Sequence, residues 1–275
     1  MNKNFKSVIL DTLFRLDGRN ALITGAAGNL GRAISRILCE AGAHVILNGR
    51  TRKTIDEFAC ELKDDGYDVS TAVLDITDDK QLVELFKRIR LERGCLDIIV
   101  NNASAGRCGT IENATKDDFY KSYEINVVAA FRTIQLGKPL LKEGAKKNPG
   151  GASVINIATM YGVISPDPAI YGKSGLNNPP HYGAAKAGLI QLTRYAACHL
   201  ANDKIRVNAI SPGPFPNSTI TKEQPSFLKE LCRKNPMNRI GQSYEVCGPV
   251  LFLASDASSY VTGINLIVDG GWTAW

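Results

Sequence analysis

Between residues 21 and 268 the sequence alternates short, unbroken apolar runs with longer stretches whose apolar side chains recur at helical spacing. The runs are 21–24, 44–47, 69–74, 96–100, 153–157, 205–210 and 265–268. They lack the in/out alternation of a half-exposed strand, so each is expected to be buried on both faces. Leu30, Ile34, Ile37, Leu38 and Ala41 form a helical stripe after the first run, and charged helical patterns over 51–65 and 78–92 follow the second and third. After the fourth comes a long striped region carrying Phe119, Tyr123, Val127, Phe131, Ile134 and Leu136. Helical patterns over 187–200 and 245–253 complete the alternation. Such strands are buried by a parallel sheet with helices on both faces, and 275 residues hold that core in one α/β domain of about seven strands, doubly wound. The domain is expected over 18–275, with residues 1–17 an extension packed on it or trailing from it.

Two segments interrupt the rhythm. Residues 160–181 contain Pro166, Pro168, Pro179 and Pro180, and residues 212–240 contain Pro212, Pro214, Pro216, Pro225 and Pro236 around a short helical pattern from Ser226 to Arg233. Both follow strands, at the end of the sheet where open α/β folds bind ligands. Long irregular segments there are expected to be substrate loops.

Composition narrows the function. The net charge of +6 is spread along the chain, and neither Lys146-Lys147 nor the group Arg50, Arg52 and Lys53 is long enough for a nucleic-acid surface. Asp11 and Arg15 interrupt any apolar segment near the N-terminus, and no run reaches the about 18 residues of a membrane span. Neither a signal peptide nor a membrane partner is expected. The seven cysteines (39, 60, 95, 108, 198, 232 and 247) form no C-x-x-C pair, which suits a reducing, cytoplasmic setting. His44, His181 and His199 lack ligand spacing, so no metal centre is expected.

Two motifs carry chemistry. Gly25-Ala26-Ala27-Gly28-Asn29-Leu30-Gly31 lies between the first strand and the first helix. Glycines there let backbone N–H groups and the helix N-terminus approach a pyrophosphate without a Cβ in the way, although the spacing is G-x-x-G-x-x-G rather than G-x-G-x-x-G. The second motif is Tyr182-Gly183-Ala184-Ala185-Lys186. Residues four apart share a helix face, so the phenol and the ammonium would line one wall of a cleft. A tyrosine acting as acid or base near neutrality needs its pKa lowered by roughly three units, about 4 kcal/mol, and a nearby cation is the physical means. Alone, Y-x-x-x-K arises in many helices by chance and reads as a surface pair.

In combination these features resemble the short-chain dehydrogenase/reductase family. Thr24-Gly25 with Gly31, then Asn101-Asn102-Ala103, Asn126, Tyr182 with Lys186, and Pro212-Gly213 occur in that family's order. The resemblance implies a Rossmann-type fold and a nicotinamide cofactor held by Gly25, Gly28, Asn29, Leu30 and Gly31, with Asp75 and Ile76 beside the adenine. Asn102 and Ala103 would run along its middle, and Pro212, Gly213 and Phe215 would lie near the nicotinamide. Tyr182 is then the acid/base and Lys186 lowers its pKa and bonds the nicotinamide ribose. Asn126 holds a water linking Lys186 to solvent, and Thr159 replaces the family's substrate-binding serine. Three departures stand out: Asn29 where glycine is usual, its backbone expected to adopt the left-handed turn; Ser104 in place of the glycine ending N-N-A-G; and a Thr159–Tyr182 separation of 23 residues, longer than the family's. The second strand ends Asn48-Gly49-Arg50-Thr51 without a carboxylate for a ribose 2′-hydroxyl, so NADP(H) is expected over NAD(H). The polar residues of the long loop, Tyr161, Asp167, Tyr171, Lys173, Asn177 and Asn178, lean toward a sugar, polyol or sugar acid, as in gluconate 5-dehydrogenase-like members. The alternatives are a 3-oxoacyl carrier-protein reductase and a catalytically weak, nucleotide-binding regulatory protein. The family's habit implies a homotetramer, paired through the helix bearing Tyr182 and the helix after the fourth strand.

Overall fold

A computed structural model describes residues 10–105, 109–172 and 174–275. Seven strands, β1 (Asn20–Ile23), β2 (His44–Gly49), β3 (Val69–Val73), β4 (Ile98–Asn101), β5 (Ala152–Ile157), β6 (Ile205–Pro212) and β7 (Asn265–Val268), form one parallel sheet in the order β3-β2-β1-β4-β5-β6-β7. The order reverses between β1 and β4, which opens a crevice beyond their carboxyl ends. β1, β4, β5 and β6 are buried along their whole length, as their apolar runs require. The two edge strands are not: β3 and β7 leave part of each strand accessible, because each has a neighbour on one side only.

The helices are α1 (Leu10–Phe14), α2 (Asn29–Glu40), α3 (Arg52–Asp64), α4 (Asp79–Arg93), α5 (Lys116–Tyr123), α6 (Ala129–Lys147), α7 (Pro180–Leu200), α8 (Ser218–Glu223), α9 (Pro225–Lys234) and α10 (Cys247–Ala254). Local chemistry sets several ends. Asp78 caps α4 by accepting from the N–H groups of Lys80 and Gln81, and left-handed Gly94 ends it. Thr115 and Asp118 form a capping box at α5, and Pro180 opens α7. Alternate strand residues point to opposite faces. Ile23, Val45 and Leu47 therefore pack against α2, α3 and α10, while Leu22, Ile46 and Ile99 pack against α4, α6 and α7.

Leu16 is fully buried in the first of these cores, and its N–H donates to Ala41 O at 2.8 Å. The segment before residue 18 is thus packed on the domain from Leu16 onward. The expected loop over 160–181 contains two short 3-10 turns, Met160–Gly162 and Pro168–Tyr171, before α7 begins. The segment over 212–240 contains α9 and also α8, which the sequence pattern did not foretell. Among the described residues, no helix is long and apolar enough to cross a membrane.

Candidate active site

Two clefts open beyond the carboxyl ends of the strands, and they meet at Ser104. The first, of about 460 Å³, runs over the ends of β1 to β4. Gly25 starts the turn after β1 at φ +64°, and a Cβ there would stand 2.9 Å from Ala103 Cα. A Cβ on Gly31 would meet Gly25 O at 2.1 Å, so glycine is what lets α2 close onto the turn. The start of α2 has Gly28 as its cap and no side-chain bond over its N–H groups, leaving them turned to the cleft. Across the crevice Thr24 Oγ1 accepts from the N–H groups of Asn102 and Ala103, both at 3.0 Å, and Asn102 Nδ2 donates to Gly25 O at 2.9 Å. These bonds fix the spacing of the two walls.

The same cleft is lined by Asn29, Leu30, Asn48, Gly49, Arg50, Asp75 and Ile76. Asn48 is buried and ties β2 to β3 through Ala72 O at 2.8 Å. Arg50 is two-thirds exposed, its guanidinium 3.7 Å from Asp75, and Thr51 caps α3 without a side-chain bond. Asn29 departs from expectation. It is not left-handed but the first residue of α2, and its Nδ2 donates to Phe215 O at 3.2 Å across the cleft. The turn keeps its shape because Gly25 and Gly28 carry the bend.

The second cleft, of about 450 Å³, lies between the loop after β5 and the segment after β6. Tyr182, in the first turn of α7, and Thr159, just past β5, form its chemical end together with Ser104. The Tyr182 hydroxyl interacts with those of Ser104 and Thr159, and both interactions favour the phenolate. Burial is nevertheless the larger influence and raises the Tyr182 pKa. Lys186 is 2% exposed; its ammonium donates to Ile157 O at 2.7 Å and lies 5.8 Å from the Tyr182 ring centroid. Burial pushes it down to about 7. Burial thus works against charge on both groups.

Asn126 sits 2% exposed in a π-helical turn, Glu124–Val128, between α5 and α6. Such a turn widens the helix and is common at functional sites. Its Nδ2 donates to Ser122 O at 2.8 Å, and its Oδ1 accepts from Ser104 Oγ at 2.8 Å. Behind the site runs a buried chain from α6 to α7: Thr133 donates to Asn101 at 2.6 Å, Asn101 to Asn156 at 2.8 Å, and Asn156 to Thr193 at 2.8 Å. Asn101 and Asn156 are register partners on β4 and β5, and an asparagine inside an apolar strand run was the available signal.

Aromatic rings form part of the walls of the second cleft. Tyr161, Tyr171, Phe215 and Phe227 line it, with Tyr171 stacked on Phe227 at 5.5 Å and its hydroxyl 3.4 Å from that of Tyr161. Asn177 and Asn178 add amides, and Asn178 Oδ1 is buried without a partner. Asp167 is not in the wall; it pairs with Lys234 and caps the turn at Pro168. Lys173 lies outside the described residues. Gly213 and Phe215 line this cleft rather than the first, and Pro212 is the last residue of β6. Among the described residues no cluster of His, Cys, Asp and Glu is placed to hold a metal.

The sequence model of a family described as enoyl-(acyl carrier protein) reductase matches residues 25–273. The chain is 34% identical to a 3-oxoacyl-[acyl-carrier-protein] reductase of Thermotoga maritima over 94% of this chain and 98% of that protein. It is 30% identical to a gluconate 5-dehydrogenase of Gluconobacter oxydans over 95% of this chain and 97% of that protein. The crystal structure of a gluconate 5-dehydrogenase from Burkholderia cenocepacia, in complex with NADP and tartrate, superimposes with a TM-score of 0.85 at 30% identity, covering 96% of this chain and 99% of that one. On this match over nearly its whole length, the chain belongs to the short-chain dehydrogenase/reductase family of oxidoreductases.

Proposed function

We propose that the protein is an NADP(H)-dependent oxidoreductase that interconverts a secondary alcohol and a ketone, with a sugar, polyol or sugar acid as the preferred substrate class. One observation carries the reading: a glycine-walled cleft and a cleft ending in Tyr182 and Thr159 open into each other at Ser104. The first fits a dinucleotide. A Cβ at Gly25 or Gly31 would collide with the turn, and the uncapped N–H groups of α2 suit a pyrophosphate. Exposed Arg50 beside the uncapped start of α3 suits a 2′-phosphate, and no carboxylate ends β2. The Burkholderia cenocepacia relative, whose complex contains NADP, supports the same choice. NAD(H) is the less favoured alternative.

When bound, the nicotinamide supplies or accepts the hydride. The protein's task is orientation and proton transfer. Tyr182 gives a proton to the carbonyl oxygen in reduction and takes it back in oxidation, while Thr159 bonds the same oxygen. Lys186, held at about 7 by burial, exchanges its own proton near neutrality. Phenol and ammonium then titrate as a pair. Asn126 holds a water that links Lys186 to solvent.

The aromatic walls offer flat faces to ring C–H groups, and the amides of Asn177 and Asn178 in the lining suit a hydroxylated substrate. The same apolar lining favours a second reading, reduction of a 3-oxoacyl chain, the activity for which the Thermotoga maritima relative is named. Exposed Phe119, Tyr120, Tyr123, Val128 and Phe131 around α5 and α6, and Tyr195 on α7, support assembly into a tetramer. The test is NADPH oxidation against keto sugars, keto sugar acids and 3-oxoacyl thioesters. Turnover fastest with a keto sugar or keto sugar acid supports the first reading, and turnover fastest with the thioester supports the second. No turnover with any ketone, alongside intact NADPH binding, would leave a nucleotide-binding regulator.

A further inference from the structure

Ser104 is the one described residue that lines both clefts, so it stands where cofactor and substrate must meet. Its Oγ donates to Asn126 Oδ1 at 2.8 Å. Asn126 is itself fixed: its Nδ2 is spent on Ser122 O at 2.8 Å and Ala105 O at 3.4 Å, which holds Oδ1 toward the serine. Tyr182 shares the wall of the second cleft with Ser104, and hydrogen bonding by the serine works against the rise that burial imposes on the Tyr182 pKa. A serine has one proton and two lone pairs. While that proton goes to Asn126, only a lone pair faces Tyr182, and the phenol must be the donor. Loss of the phenol proton reverses the requirement, because a phenolate can only accept.

We propose that Ser104 is a positioning residue of the reaction, its hydroxyl turning from Asn126 to donate to Tyr182 whenever Tyr182 has given up its proton. This role rests on Tyr182 being the acid/base. The exchange is favourable because a hydrogen bond to an anionic oxygen is roughly twice as strong as one to a neutral amide. The balance is simple. In reduction the Tyr182 O–H bond breaks and an O–H bond forms on the product oxygen, while the serine's own O–H bond stays intact. Tyr182 regains its proton from solvent, and Ser104 returns to Asn126. Oxidation of an alcohol runs the same steps backward. The other titratable groups near Tyr182 are Lys186 and His181 on its own helix and Tyr161 and Tyr171 across the cleft. The wall residues from the segment after β6 and from α9 carry no charge.

The test compares wild type, Ser104→Ala and Ser104→Thr in two measurements. One is the pH profile of alcohol oxidation. The other is the phenolate absorbance titration of the cofactor-free protein, with Tyr182→Phe subtracted. Ser104→Ala should move both the Tyr182 titration and the acid limb of the profile upward by about one pH unit, about tenfold in rate at a fixed pH on that limb. Ser104→Thr, which keeps the hydroxyl, should titrate as wild type, and NADPH affinity should be unchanged in both. An unshifted Ser104→Ala, or a Ser104→Thr shifted as far as alanine, overturns the role. Loss of NADPH binding in Ser104→Ala also overturns it, by making the serine a cofactor contact. Failure of the underlying reading is separate: there Tyr182→Phe itself retains turnover.

Discussion

The two clefts are similar in size and adjoin at one residue, yet they are built on different principles. The first is made of backbone. Its walls are the turn after β1, the start of α2 and the ends of β2 to β4, spaced by Thr24 and Asn102 and by glycines that admit no Cβ. The second is made of side chains from segments far apart in sequence. Tyr171 stacks on Phe227 and joins Met160, Leu231 and the buried Trp272 in a small core apart from those that flank the sheet. A backbone site tolerates little variation and binds a common ligand, whereas a side-chain site can change its occupant without disturbing the sheet. The proposed proton transfer lies at their meeting point.

The sharpest way to break this division is Tyr182→Phe. It should lower turnover on the order of 10³-fold, the scale of a lost general acid/base, and leave NADPH binding intact, as rapid kinetics and titration would read. Retained turnover would move the proton transfer elsewhere. Next in size is Thr159. Thr159→Val should cost about 2–4 kcal/mol in kcat/KM, as for one lost donor to a developing oxyanion, while Thr159→Ser stays near wild type. Equal activity of the two variants would transfer the role to a hydroxyl of the loop, such as that of Tyr161.

Lys186 gives a stability prediction with a definite sign. It titrates at about 7 in the fold against 10.5 ordinarily. Between these values the unfolded chain binds more protons, so stability rises with pH, by up to roughly 1.4 kcal/mol per unit. Lys186→Met removes that slope. Its Tm in the cofactor-free protein should exceed that of wild type most at pH 7 and below, with the gap closing as the pH approaches the ordinary lysine value. A gap that stays constant or widens with pH contradicts the burial account. The smallest effect belongs to the side-chain cleft alone. Phe227→Ala forfeits a stacked pair worth about 0.5–1.5 kcal/mol and should raise KM for the ketone several-fold with NADPH affinity unchanged. A matching loss of NADPH affinity would show that the clefts are not separable.

The same contrast explains what the sequence discloses. Buried parallel strands leave apolar runs, a tight strand-to-helix turn needs glycine, and residues four apart share a helix face, so the sheet, the first cleft and the Tyr182–Lys186 pair are legible from local pattern. The aromatic wall is not, because nothing in the spacing of Tyr171 and Phe227 says that two loops will stack. Asp167 looked like a substrate contact, but its partner Lys234 lies 67 residues away, and only the fold brings them together. Ser104 was visible as a departure at a glycine position, while its bond to Asn126 depends on the π-helical turn. Helix α8 escaped because six residues among prolines carry no stripe.

Titration of the protein with NADPH and NADH decides whether these two clefts form one NADP(H)-dependent site. Arg50, the uncapped start of α3 and the absence of a carboxylate at the end of β2 predict tighter binding of NADPH, and a reversed preference in Arg50→Asp. Tighter binding of NADH by wild type, or binding of neither, would contradict that reading.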